Sequence, residues 1–244
     1  MSRFFVSPEN IGEDNIIIDN REDLHHMVKV LRLSAGDEID VSDSSQWEYR
    51  CEILSVDADS AVARIVDKQK FTAEPDVKVT LFQGIPKQGK MEVIVQKCVE
   101  LGVESIVPVF MARTVVVDKG NFGKKIQRWQ KVSDEAVKQC RRGIIPQVQE
   151  PVRTAEAIEQ FDRFDLVLFP YENEDGRTIK DELRSCGAPR NVAVIIGPEG
   201  GFSDEEAGAI VNAGGRSVSL GKTTLRTETA GMAAIAMIMY ELEL

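Results

Sequence analysis

Two hydrophobic periods divide this chain. Up to about residue 70 the pattern is mostly that of short strands. Three consecutive isoleucines fall within 15–19, Glu38-Ile39-Asp40-Val41 alternates polar and apolar, and residues 47–54 and 60–66 continue the series. Gly36-Asp37 and Asp57-Ala58-Asp59 supply turns. Short strands at close spacing with regular turns predict a small barrel. One stretch breaks the period: Leu24, Met27, Val28 and Leu31 recur at helical spacing over 23–33, which turns His25, Lys29 and Arg32 to the opposite, exposed face.

From residue 77 the pattern changes. Apolar runs at 77–82, 105–110, 165–169, 191–196 and 216–220 read as buried strands, and helices are predicted between them. Met91, Ile94, Val95, Cys98 and Val99 fit an amphipathic helix that Gly102 ends. A basic helix follows over 122–140, then an irregular 142–151 and shorter helices at 154–161 and 178–186. Ser203-Asp204-Glu205-Glu206 spells a capping box, so a helix starts at Ser203. A nearly all-apolar helix spans 227–240. Strand, helix, strand in this order predicts an α/β fold with a parallel sheet and right-handed crossovers. The polar stretch 68–76, with Pro75, reads as a linker between a first domain over 1–72 and a second over 73–244.

Composition narrows the function classes. The 244 residues suit one large or two small domains, and 43% hydrophobic with 29% charged residues is ordinary globular usage. No apolar run reaches the roughly 20 residues of a membrane span. The start, Met1-Ser2-Arg3-Phe4-Phe5, lacks a signal-peptide apolar segment. Cys51, Cys98, Cys140 and Cys186 form no Cys-x-x-Cys pair, so free thiols and a cytoplasmic location are expected. The two histidines are adjacent, and neighbours rarely share a metal; no metal site is expected. A net charge of −10 argues against strong non-specific nucleic-acid binding. The local field matters more than the sum. Lys119, Lys124, Lys125, Arg128, Lys131, Lys138, Arg141 and Arg142 concentrate positive charge, while 172–175 and 204–206 are acidic.

Candidate chemistry gathers at three strand exits: Phe169-Pro170-Tyr171, 197–201 and 220–226. In a parallel sheet such exits converge on a crevice. Gly197, Gly200 and Gly201 interrupt the second exit, where glycine lets a ligand approach the backbone. Gly221-Lys222-Thr223 imitates the end of a phosphate-binding loop, but the required first glycine falls on Arg216. From the residues alone the site is a small-molecule pocket of unspecified ligand.

Two segments make it specific. Gly197-Pro198-Glu199-Gly200-Gly201-Phe202-Ser203 and the stretch from Leu220-Gly221 through Leu225-Arg226-Thr227-Glu228-Thr229-Ala230 resemble the signature of the knotted SPOUT-class RNA methyltransferases. The resemblance is in particular to the RsmE family, which methylates N3 of a uridine in 16S ribosomal RNA. It extends to Arg3-Phe4-Phe5, to His25-His26 through Val30-Leu31-Arg32, and to Gln83-Gly84-Ile85-Pro86-Lys87, and so covers most of the chain.

The resemblance implies a SPOUT-type parallel sheet with a C-terminal trefoil knot behind a PUA-like β-barrel domain. It implies S-adenosylmethionine as cofactor, held by Leu168, Pro170, Tyr171, Ile196, Gly197, Glu199, Gly200, Leu220, Gly221, Leu225 and Thr229. It also implies RNA contacts at Arg3, His25, His26, Lys29 and Arg32, to which the basic stretch adds Arg141 and Arg142, and a homodimer through 230–240. The acidic net charge, with its weak non-specific binding, points to a shaped substrate such as an assembled small subunit. For catalysis Arg226 stabilises the developing uridine anion. Glu228 is either a general base or, preferably, the partner of Arg226, because an unperturbed carboxylate suits so weak an acid badly. Glu199 is a second base candidate. A non-catalytic RNA-binding module and a methyltransferase acting on another RNA site are the alternatives.

Overall fold

In this computed structural model, which describes residues 2–57, 59–71, 74–117 and 122–243, the chain forms two compact units. The first comprises Met1–Glu74 and Val137–Ile145, the second Pro75–Ala136 and Pro146–Leu244. The first therefore includes a segment that is distant in sequence.

Period-two alternation builds the first unit. Strands β1 (Arg3–Phe5), β2 (Asn15–Ile18), β3 (Glu38–Ser42), β4 (Trp47–Val56) and β5 (Ala61–Lys70) form a five-stranded sheet in the order β1-β3-β4-β5-β2. Only β1 and β3 run parallel. Register shifts at Arg50/Cys51 and Ile53/Ser55 bulge the long β4–β5 pair. Bulges bend and twist a sheet, and this one curls into a PUA-like half-barrel around Phe4, Ile16, Ile18, Met27, Ile39, Val41 and Ile53. β5 continues to Lys70, so the first residues of the expected linker are strand.

The helical interruption is present with a different shape. Asn20 caps α1 (Arg21–His25) by accepting from the Glu22 and Asp23 amides at 2.9 and 3.1 Å. The helix then widens into a π-turn, His26–Leu31, which ends where Arg32 adopts φ 56° and donates its amide to Met27 O. Leu24 and Met27 are buried, and His25, His26, Lys29 and Arg32 are exposed.

Glu74 and residues 142–144 are joined within this unit. Glu74 accepts from Arg142 Nη2 at 2.8 Å and from the Gly143 and Ile144 amides at 2.7 and 3.1 Å. Ser42 Oγ donates to Gly143 O, and Gly143 lies so close to the Phe71 ring that a Cβ there would overlap it.

Continuous apolar runs build the second unit, as expected for strands covered on both faces. Strands β6 (Lys78–Gly84), β7 (Ser105–Phe110), β8 (Gln147–Val148), β9 (Val152–Arg153), β10 (Leu166–Pro170), β11 (Asn191–Ile196) and β12 (Arg216–Val218) form one sheet. Its path is β12-β10-β11-β6-β7-β8, with β9 also on β7, and every pair is parallel. Helices α2 (Lys90–Glu100), α3 (Phe122–Cys140), α4 (Thr154–Ile158), α5 (Ile179–Ser185), α6 (Asp204–Asn212) and α7 (Thr227–Leu242) make the connections and the C-terminal end, α3 contributing its last turn to the first unit. Ser203 caps α6 in the expected box with Glu206. α7 packs on α2, α5 and β11, burying Ala230, Gly231, Ala234, Ile235 and Ile238.

Among the described residues no helix is long and apolar enough to cross a membrane, and no group of three or more His, Cys, Asp or Glu could hold a metal. Cys51 and Cys98 are buried thiols, and burial pushes both up to about 12.

Candidate active site

Sheet order brings the three exits together. β10 lies between β12 and β11, with Leu168 opposite Arg216 on one side and Val194 on the other. Parallel strands end at one edge, so the loops after β10, β11 and β12 are neighbours. Between them lies a cavity of about 530 Å³, a volume ordinary for a cofactor or drug-sized ligand.

Of the predicted cofactor residues, Pro170, Tyr171, Ile196, Gly197, Glu199, Leu220, Gly221 and Leu225 line this cavity. Leu168 does not; it is fully buried inside β10. Gly200 faces away, with its carbonyl accepting from Arg113 Nη1 at 2.8 Å. Thr229 is exposed in the first turn of α7 and outside the lining. The loop after β11 turns sharply: the Gly201 amide donates to Pro198 O at 2.9 Å, and Gly201 sits at φ +69°, where a Cβ would strain the backbone.

Arg226 lines the cavity immediately before α7, with an exposed side chain. It has no ion pair among the described residues, so the expected Arg226–Glu228 pair does not form. Glu228 instead meets Lys90, whose Nζ stands 3.3 Å from Glu228 Oε2 and 3.1 Å from Glu199 Oε1. The Lys87 amide also donates to Glu199 Oε1, at 3.0 Å. Burial pushes the Glu199 carboxyl upward, but backbone N–H donors and Lys90 outweigh it and leave Glu199 below the usual carboxylate range. The Glu199 hydrogen bond in turn raises Lys90 against its own partial desolvation. A carboxylate held ionised in this way is poorly suited to take a proton from a neutral base near pH 7.

Lys90 escaped the sequence reading because it follows β6, far along the chain from the two main motifs, and Lys87, though part of the Gln83–Lys87 stretch, was given no role at the site. Their approach comes from β6 pairing beside β11, with Gln83 opposite Ile196. The same pairing brings Gly84 against the Gly197–Pro198 peptide: a Cβ on Gly84 would lie 2.6 Å from Pro198 N.

The RNA candidates divide. His25, His26, Lys29, Arg32 and Arg141 are exposed. Arg3 is engaged, donating to Glu48 at 2.5 Å and to Arg141 O at 2.7 Å. Arg142 is 5% exposed and spends its guanidinium on Glu74, a structural role in place of the expected RNA contact. In the basic helix Arg128 pairs with Glu92 and Lys138 with Asp23, so part of that charge is neutralised. Lys119 lies outside the described residues.

Comparison with known proteins gives the site its context. An RNA methyltransferase domain family matches residues 73–239, and an RNA methyltransferase PUA domain family matches 18–66. Ribosomal RNA small subunit methyltransferase E of Bacillus subtilis is 31% identical across 100% of this chain and 98% of its own length. The chain belongs to the ribosomal RNA small subunit methyltransferase E family. The member from Mesomycoplasma hyopneumoniae is 32% identical over 95% of this chain and 96% of its own. The member from Neisseria gonorrhoeae, solved bound to S-adenosyl methionine, superposes with a TM-score of 0.84 at 29% identity, covering 98% of this chain and 97% of that one. Family membership and the PUA-like and parallel-sheet units agree with the fold class expected from the motifs.

Proposed function

We propose that this protein transfers the methyl group of S-adenosylmethionine to N3 of a uridine in 16S ribosomal RNA. The observation that carries the reading is the cavity at three adjacent parallel strand exits, with the Arg226 guanidinium, which has no ion pair among the described residues, in its wall. Full-length similarity to family members, one of them bound to S-adenosyl methionine, supports the same cofactor here. The residues present fit such a ligand: the wall is made mainly by residues of the loops after β10, β11 and β12, among them Tyr171 and the carboxylates of Glu172, Glu174 and Glu199.

When bound, the cofactor supplies an electrophilic sulfonium methyl group. The chain's part is to hold the uridine in line with that group. Arg226 faces the ring oxygens and stabilises the negative charge that grows as the N3 proton leaves. Lys90 pairs with both Glu199 and Glu228, and together with backbone donors it keeps Glu199 ionised, a fixed charge in the wall. In this reading solvent or the RNA itself accepts the proton. His25, His26, Lys29, Arg32 and Arg141 on the first unit hold RNA. A trefoil threading of the three loops, a substrate presented as an assembled small subunit, a cytoplasmic location and the division into an RNA-binding domain over 1–72 and a methyltransferase domain over 73–244 belong to the same proposal.

The direct test is to incubate the protein and S-adenosylmethionine with small subunits from cells lacking the activity, then map the product by mass spectrometry. One N3-methyluridine is the expected outcome. Methylation of another ring atom would move the protein to a different reaction, and no cofactor binding would favour a non-catalytic RNA-binding module.

The dimer has its own support. Met237 and Tyr240 on α7 are 40% and 71% exposed, beside Ala233 and Ala236 in an apolar groove of about 510 Å³. Covering such a patch with a second copy removes it from water. Sedimentation should find a dimer for the native protein and a monomer for Tyr240→Asp; a native monomer would contradict the proposal.

A further inference from the structure

One buried polar side chain has no part in the mechanism above. Gln83, near the end of β6, is fully buried and lies outside the cavity wall. Its Nε2 uses both protons, donating to Gly84 O at 3.0 Å and to Thr227 Oγ1 at 2.9 Å. Two acceptors fix the amide orientation, since neither Gly84 O nor a flipped Oε1 has a proton to offer the other. A hydroxyl carries a single proton. Because Thr227 Oγ1 accepts from Gln83, it is free to donate onward, and it does so to Gly197 O at 2.6 Å. The result is a one-way relay from β6 through the first residue of α7 to the carbonyl of a cavity-wall residue.

The relay carries a cost. Gln83 Oε1 is buried without a partner and faces Gly231, where an added Cβ would lie 3.3 Å from it. An apolar side chain of similar length would avoid that orphan oxygen. What such a side chain would lose is the link to Gly197. The missing Cβ at Gly84 works in the same direction, by letting the Gly197–Pro198 peptide settle onto the β6 exit.

We propose that Gln83 is a positioning residue for methyl-donor binding: through the Thr227 hydroxyl it sets the Gly197 peptide against the start of α7, and so shapes a cavity that it does not itself touch. This rests on the S-adenosylmethionine reading of the cavity.

The test is calorimetric titration of S-adenosylmethionine into the native protein and into Gln83→Met, Thr227→Val, Thr227→Ser and the Gln83→Met/Thr227→Val double variant, with thermal unfolding of each. Interrupting the relay at either residue weakens binding about tenfold, the scale of one buried hydrogen bond lost. Breaking it at both adds little, since the two changes remove one connected unit. Thr227→Ser keeps the hydroxyl and restores affinity to within about twofold of native. Rate at saturating donor changes less than affinity, because the relay acts on binding. A folded Gln83→Met protein with native affinity would overturn the proposal, as would losses that add in the double variant. If Gln83→Met does not fold, equal affinities for Thr227→Val and Thr227→Ser would overturn it by themselves. Absence of binding by the native protein would instead overturn the cofactor reading, and this inference with it.

Discussion

Arg226→Ala lowers methyl transfer by about 10² to 10³-fold, the usual loss when one preorganised donor to a developing anion is removed. Its affinity for S-adenosylmethionine stays close to native. The split follows from position. Arg226 stands at the cavity wall with its guanidinium free of ion pairs among the described residues, and it is one of many residues from three loops that form that wall. Removing the side chain leaves the Arg226 carbonyl in place to accept from the Thr229 and Ala230 amides, so the first turn of α7 persists. Single-turnover rates on small subunits, beside calorimetry with the cofactor, check both halves. A parallel loss of rate and affinity would make Arg226 a cofactor ligand and leave the uridine anion without a named stabiliser. Arg226→Lys is expected to recover little, because an ammonium cannot offer two parallel donors to a planar acceptor.

The largest stability effect is expected at Glu74→Ala, about 3–5 kcal/mol in denaturant unfolding, the scale for removing one partner of a buried ion pair. Arg142 is 5% exposed and its guanidinium is bound by Glu74. The same carboxylate holds the Gly143 and Ile144 amides, so three groups lose their acceptor together. Changing both partners, as Glu74→Leu with Arg142→Met, costs less than Glu74→Ala alone, since it removes the buried cation together with its carboxylate even though the Gly143 and Ile144 amides lose that acceptor. Glu74→Ala with native stability would mean that the Glu74–Arg142 pair and the two amide bonds to Glu74 add nothing.

Arg142 also shows where reading by residue type goes astray. An arginine within a basic stretch suggests phosphate contact, and Arg141 beside it is exposed. Which of two adjacent arginines turns inward depends on a partner 68 positions away in sequence. Arg3 is likewise engaged by a partner distant in sequence, Glu48 on another strand. Glu199 and Glu228 were legible as site carboxylates, yet their roles were not. Both are claimed by Lys90, which reaches them only because β6 runs beside β11.

Sequence alone determined what depends on neighbours along the chain. The buried strands, the box that starts α6, the apolar α7 and the glycine turn after β11 all follow from local periodicity, capping and backbone freedom. The two motifs carried the family. Tertiary structure decided which loops share a cavity, which charges are spent on one another and which are left for a substrate. Hydrogen bonds and ion pairs act over a few ångströms in space, and strand order, which no local pattern encodes, sets which distant residues come within that range. The link from Gln83 through Thr227 to Gly197 joins positions 144 and then 30 residues apart, and it exists only because the sheet folds them onto one edge.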